Sequence, residues 1–216
     1  RVRVSRGVRA GGEVAAIEKR LDDIAADPYF KKPAPRFGVI GVKVFQDGGM
    51  LTGSAFFQKP WGKSKIYGIT DPQYRGMQYV KEDRLEELAR ACVKRGLAFT
   101  AHCQGDAATT TLARVYARIN QDMPVAPSRS SITHSSFMTA EAIRLAGEVG
   151  FGIDLQPAWL YQDGFTLQSH FGKERLKYFI PLKSLFEIGV KAGGGSDHMQ
   201  RIGPLRSLNP YDPFLG

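Results

Sequence analysis

Cysteine is almost missing from this chain: two thiols, Cys92 and Cys103, stand in 216 residues. They form no CxxC pair and no framework, so a scaffold stapled by disulfides is excluded. Cys92 falls on the apolar face of a helical pattern and Cys103 follows His102 in a strand pattern, so both read as buried thiols, compatible with a reducing compartment. Long apolar runs are missing too. None approaches the roughly 18 to 20 residues of a membrane span, and Arg1-Val-Arg-Val-Ser-Arg6 has no signal-peptide core. No membrane partner is expected, and the cytoplasm is the expected location. Basic blocks are also absent. The 30 Lys and Arg against 21 Asp and Glu give a formal net charge of +9, but they are spread along the chain, without the cluster of roughly 5 to 8 that marks a polyanion site. A solvated basic surface is the reading, and no nucleic acid is expected. The chain does not begin with Met, which suggests an excerpt of a longer product.

With 43% hydrophobic and 24% charged residues, the chain can bury one good core. Its pattern is a strand followed by a helix, repeated. Val2 to Val8 alternates as a strand. Val14, Ile17, Leu21 and Ile24 recur at helical spacing, so residues 13–26 read as an amphipathic helix. Phe37-Gly-Val-Ile-Gly-Val-Lys-Val-Phe45 is a near-continuous apolar run, as a parallel strand buried on both faces requires. Residues 46–81 are long, irregular and rich in Gly, Pro and aromatics. Two readings stay open for them, an insertion that covers substrate and a loop packed over the barrel rim. Leu85, Leu88, Ala89, Cys92 and Val93 mark the next helix, with Gly96 as its C-cap candidate.

Leu97 to His102 is a strand, and Asp106 is placed to cap the helix after it. Ser130 to His134 and Phe151 to Gln156 are two more strands, separated by a helix that Thr139 caps and Gly150 closes. A second aromatic loop carries Trp159, Tyr161, Phe165 and His170. Leu182 to Ile188 is a brief helix closed by Gly189, and Val190 to Ala192 opens the last strand, which runs into Gly193-Gly-Gly-Ser-Asp197. The Pro-containing tail beyond has no strong period. Six strands with long connections fit right-handed parallel crossovers. The fold class expected is α/β, a partial (β/α)8 TIM-type barrel in one domain over 1–216, with an insertion at about 46–81.

Barrel chemistry sits at the C-terminal ends of the strands, where this chain places Lys43, His102, His134 and Asp197. Imidazole and carboxylate are suited to zinc and similar divalent ions, and a catalytic zinc keeps one position open for water. Such an ion brings the pKa of its water to about 7, and a carboxylate beside it can act as general base. Lys43 is the odd member, because lysine is rarely buried unless paired. It needs an ion partner, a shifted pKa or covalent modification. Each residue also has a structural reading: a hydrogen-bonded histidine, or an aspartate that caps the next segment. His198, beside Asp197, can touch the site or lie on the surface.

Gly41-Val-Lys-Val-Phe-Gln-Asp-Gly48, Ala101-His-Cys-Gln-Gly-Asp106, Ser131-Ile-Thr-His134, Asp154-Leu-Gln-Pro157 and Ala192-Gly-Gly-Gly-Ser-Asp197 resemble the successive strand-end motifs of the amidohydrolase superfamily. More narrowly they resemble its family-3 branch, which includes N-substituted formamide deformylases. The resemblance runs in order from about Val2 to Asp197. It implies a (β/α)8 metallohydrolase with these strands as numbers three to eight. It implies that Lys43 is the strand-four lysine, carboxylated where it bridges two metals, and that His102 and His134 are metal ligands. Asp197 would bind metal and take the proton of the attacking water. Gln156 and Asp106 would be supporting residues, Asp106 also as a helix cap, while Asp47 and His198 are further candidates for supporting or substrate contacts on their position in the chain. Two departures stand out. The His-x-His pair of the family's first strand is absent, which suggests truncation, and Thr133 stands where members usually have an acid.

The function expected is hydrolysis of a non-peptide carbon–nitrogen bond, amide or N-formyl, with one or two divalent ions, zinc foremost. The expected partner is a small-molecule substrate, and a homo-oligomer is left open. Two other readings remain. One is a metal-free barrel enzyme on a phosphorylated substrate, with Gly193 to Gly195 at the phosphate and Lys43 as a Schiff-base lysine. The other is a truncated barrel without catalysis.

Overall fold

Six strands lie side by side in the order in which the chain makes them, in a computed structural model that describes residues 2–197. They are β1 (Val2–Gly7), β2 (Phe37–Phe45), β3 (Ala98–Cys103), β4 (Ser131–His134), β5 (Gly152–Leu155) and β6 (Ala192–Gly194). Every pairing is parallel. Strictly sequential parallel neighbours belong to a barrel wall, whereas a doubly wound sheet reverses its order at a switch point. Among the described residues β1 and β6 each pair on one side only, so the sheet is an open half-barrel.

The helices cover one face of this wall. α1 (Val14–Ala26) buries Ile17, Leu21 and Ile24, and the short α2 (Pro28–Lys31) follows it. α3 (Glu82–Lys94) buries Leu85, Leu88, Ala89, Cys92 and Val93. α4 (Asp106–Ile119) buries Ala108, Leu112, Val115, Tyr116 and Ile119, and α5 (Ala140–Val149) buries Ala142, Leu145, Ala146 and Val149, each set recurring in the sequence at helical spacing. Adjacent helices pack in the same sequence as the strands. Tyr116 of α4 is fully buried, and its hydroxyl lies 2.7 Å from the Phe99 carbonyl and 2.9 Å from that of Ser131, tying the helix to β3 and β4. Thr139 caps α5, its side chain accepting from the Ala142 N–H at 3.0 Å, and Gly150 ends it at φ 80°.

Several arginines pair with acids of the neighbouring helix. Arg118 reaches Glu82 and Glu86 across α4 and α3, Arg95 reaches Glu18 and Asp22 of α1, and Arg114 grips Glu141 of α5 with two hydrogen bonds. These pairs are largely solvated, so each adds about 0–1 kcal/mol.

One element and one cap differ from the sequence expectation. Residues 158–171, expected as an aromatic loop, form the helix α6 (Ala158–Phe171), and the helix expected around Leu182 is α7 (Leu182–Glu187). α6 escapes a period search because Leu167 is its one buried residue, while Leu160, Tyr161 and Phe165 face solvent. Asp106, expected to cap α4, does not. Gly105 is the N-cap residue, and the Asp106 carboxylate instead accepts from the Gln58 N–H at 2.7 Å. Residues 46–81 contain no helix or strand but pack closely. Met50, Ala55, Phe57 and Trp61 are buried, and the Trp61 indole N–H donates to the Ala55 carbonyl at 2.8 Å. No helix among the described residues is long and apolar enough to cross a membrane.

Cys92 and Cys103 are buried and unpaired. Burial lifts the Cys92 thiol to about 12, against a smaller pull from Arg95, and lifts Cys103 well above the ordinary range. Since thiolate is the reactive form, the native chain at about pH 8 is expected to leave both thiols untouched by an aromatic disulfide reagent, and denaturant to release both. Fast labelling of the native chain would contradict this packing. The folded pKa of Cys92 lies above its unfolded value of 9.0, so the stability it contributes is whole below that pH. It declines as pH rises toward about 12.

Candidate active site

The strand register brings distant residues into layers. Lys43 pairs with Thr100 and Thr100 with Ser131; two residues on, Phe45 pairs with His102, His102 with Thr133 and Thr133 with Asp154. Thr100, Ser131, Thr133 and Asp154 hydrogen-bond across the strands: 2.8 Å between Thr100 and Thr133, 3.1 Å from Ser131 to Thr100, and 3.2 Å from Ser131 to Asp154. This makes a polar floor on the face the helices leave uncovered.

Strand alternation alone would send His134 to the helix side with Ile132, because successive side chains point to opposite faces. Its ring instead lies 4.6 Å from that of His102, at 72°. The backbone accounts for the turn, with φ 74° at His134 and 46° at Ser135. Five non-glycine residues have positive φ among the described residues, and three of them, His134, Ser135 and Asp197, stand at the ends of β4 and β6. A left-handed non-glycine residue costs about 1–3 kcal/mol and tends to mark functional sites.

Each imidazole has its Nδ1 engaged. His102 Nδ1 donates to Asp47 Oδ1 at 3.0 Å. Asp47 is wholly buried and also accepts from the N–H groups of Phe56 at 3.0 Å, Gln104 at 2.9 Å and Gly105 at 2.9 Å. Close backbone approach builds this cradle. A Cβ on Gly105 would lie 2.0 Å from the Phe56 carbonyl oxygen, and one on Gly76, at φ 96°, would lie 1.9 Å from that of Ala55. His134 Nδ1 lies 2.7 Å from Gln156 Oε1, an atom that can only accept, so the proton is on Nδ1. Burial, with His102 beside it, pulls the His134 pKa down to about 3, so the ring is neutral at neutral pH. In both rings the Nε2 lone pair is therefore the one left for a ligand bond.

Lys43 is half-buried on the same face, its Nζ 5.7 Å from the centre of the Phe45 ring. Asp197 stands at the exposed rim. Desolvation raises its carboxyl above the usual range, while Lys43 and His102 pull it down. The structure thus brings His102, His134, Asp47 and Gln156 into direct contact and places Lys43 and Asp197 within electrostatic reach of the pair. Asp106 anchors the 46–81 segment to α4 and has no bond to either imidazole among its described contacts. His170 lies on α6 among Trp61, Tyr67 and Phe171. His198 is outside the described residues. No three His, Cys, Asp or Glu side chains among the described residues are grouped closely enough to hold a metal by themselves.

Two residues at the pair were not singled out from sequence. Phe45 stacks on His102 at 5.1 Å and 29°, and Trp159 stacks on His134 at 5.4 Å and 26°. The available signal was proximity: Phe45 is two residues from Lys43, and Trp159 is three from Gln156.

Residues 2–213 match the model of a family described as the amidohydrolase family. YtcJ of Bacillus subtilis (strain 168), whose name carries the word amidohydrolase, is 27% identical over 184 residues, which are 85% of this chain and 31% of YtcJ. The protein LONG AFTER FAR-RED 3 of Arabidopsis thaliana is 25% identical over 170 residues, 78% of this chain and 28% of that protein. Among solved structures, an uncharacterized metal-dependent hydrolase from Pyrococcus furiosus is similar at TM-score 0.70 and 23% identity, over 92% of this chain and 37% of that one. The chain spans about a third of the length of these relatives.

Proposed function

The chain belongs to the amidohydrolase family, and from that premise we propose that it forms part of a metal-dependent hydrolase of non-peptide carbon–nitrogen bonds, an amide or N-formyl group being the substrate. On this reading β1 to β6 take the places of strands three to eight in an eight-stranded barrel over the whole domain 1–216. The observation that carries the proposal is the imidazole pair: two rings 4.6 Å apart at strand ends, each with its Nδ1 hydrogen-bonded, which leaves Nε2 as the nitrogen for a ligand. Carboxylate and amide partners of this kind are what orient histidine ligands in metal sites, so the pair offers two ligand nitrogens to a divalent ion.

His102 and His134 would hold the ion, zinc in the first instance, and Asp197 and Lys43 would have to close on the pair to complete the set, with Lys43 carboxylated if two ions bind. The ion supplies a water of pKa about 7 and a polarised carbonyl. Asp197 takes the proton of the attacking water on its carboxylate and hands it to the leaving nitrogen. Asp47 and Gln156 keep the rings in the tautomer that presents Nε2. Asp106, through Gln58, holds the 46–81 segment against the start of α4. The cytoplasm remains the proposed location.

The test is zinc binding by competition with a chromogenic chelator. His102→Ala and His134→Ala are each expected to weaken zinc by at least about 10- to 100-fold, the range that loss of even a supporting group produces. Unchanged affinity in the double variant would remove the metal from this pair and the hydrolase mechanism with it.

A further inference from the structure

The imidazole pair is flanked on both sides by aromatic faces, and neither flank has a role in the mechanism above. Phe45 lies over His102 and is 58% exposed, although it sits on a sheet whose neighbouring positions are buried. Trp159 lies over His134 from the second residue of α6. The α6 chain leaves Gln156, the partner of His134, through Pro157, and the backbone N–H of Trp159 donates to the Gln156 carbonyl at 3.0 Å. The indole is thus placed by the same short segment that orients the imidazole. The floor beneath is the polar layer of Thr100, Ser131, Thr133 and Asp154. A bond that reaches the two Nε2 atoms must therefore bring its substituents between an aromatic ring on β2 and another on α6.

We propose that Phe45 and Trp159 are specificity-determining walls that select substrates with a planar unsaturated group next to the scissile carbon–nitrogen bond. This rests on the hydrolase reading of the same site. Aromatic faces favour offset or edge contact with another ring, which a small aliphatic substituent cannot supply. Aromatic faces also attract cations, but a cationic substituent would be repelled by the divalent ion that the imidazole pair would hold. A neutral aryl group is the chemistry that remains.

The chain has two tryptophans, and Trp61 is 2% exposed with its N–H bonded to Ala55. Ligand-sensitive indole emission is therefore assigned to Trp159 and checked by its loss in Trp159→Phe. Acetanilide is expected to change that emission saturably and to bind about tenfold more tightly than N-methylacetamide, the value of two ring contacts. Binding by the Trp159 variants is followed by calorimetry. Trp159→Leu should cut the preference to about threefold, the share of the Phe45 contact alone, and Trp159→Phe should keep most of it, a rescue that a merely structural ring would not show. Equal affinity for the two amides, or a preference that Trp159→Leu leaves undiminished, overturns the proposal. Cobalt(II) titration separates this from the underlying reading. Quenching of Trp159 that disappears in His134→Ala, with no aryl preference, removes the walls and leaves the metal site. An aryl preference without cobalt quenching leaves the walls and removes the metal. Absence of both signals removes both.

Discussion

Replacing Asp47 with alanine is expected to destabilise the chain by about 3–5 kcal/mol and to weaken zinc by about 10- to 100-fold. The carboxylate is 0% exposed and accepts from three backbone N–H groups and from His102 Nδ1. Alanine leaves all four donors without their acceptor. Each orphaned donor costs about 1–3 kcal/mol, and the costs overlap because the cradle can relax as one piece. The same change frees the His102 ring to rotate, so stability and metal affinity fall together. Urea unfolding would give the first quantity and chelator competition the second. Asp47→Asn preserves volume and one acceptor oxygen, so it should fall between the parent and alanine in both. An alanine variant with an unshifted urea midpoint would mean that the 46–81 segment is held by its buried aromatics alone.

Asp197→Asn in the full gene product is expected to lower kcat by about 10²- to 10⁴-fold, the contribution of a positioned general base. KM should change by no more than about threefold, because the lost interaction belongs to the transition state. Asparagine keeps an oxygen for the ion but cannot accept the water's proton. The carboxyl is well placed to accept it. Asp197 stands at the rim past β6, desolvation raises its carboxyl above the ordinary range, and φ 49° holds its backbone in a left-handed turn. Zinc content measured on the same samples separates a lost base from a lost ligand. Full kcat with full zinc would move the proton transfer to another group.

Much of the wall was legible in residue patterns. The apolar run of β2, the stripes of α3, α4 and α5, and the closing glycines Gly96 and Gly150 are local signals, and the structure places each within a residue or two of its reading. α6 was not legible, because a helix that buries only Leu167 has no apolar stripe to detect. Asp106 misled for a related reason. Its identity suits a cap, but the backbone N–H of Gln58, 48 residues away in sequence, takes its carboxylate.

Sequence alone determined the repeat of strand and helix, and with it which residues stand at strand ends, because side-chain period and turn chemistry are properties of neighbouring residues. Tertiary structure decided which of them meet. His134 reaches His102 only through a left-handed turn that alternation would not foresee, Asp47 becomes the anchor of His102 only once Phe56, Gln104 and Gly105 close around it, and Trp159 finds His134 only because α6 starts where β5 ends. Those contacts join residues up to 58 positions apart. They depend on strand register and chain crossing, for which local sequence carries no signal.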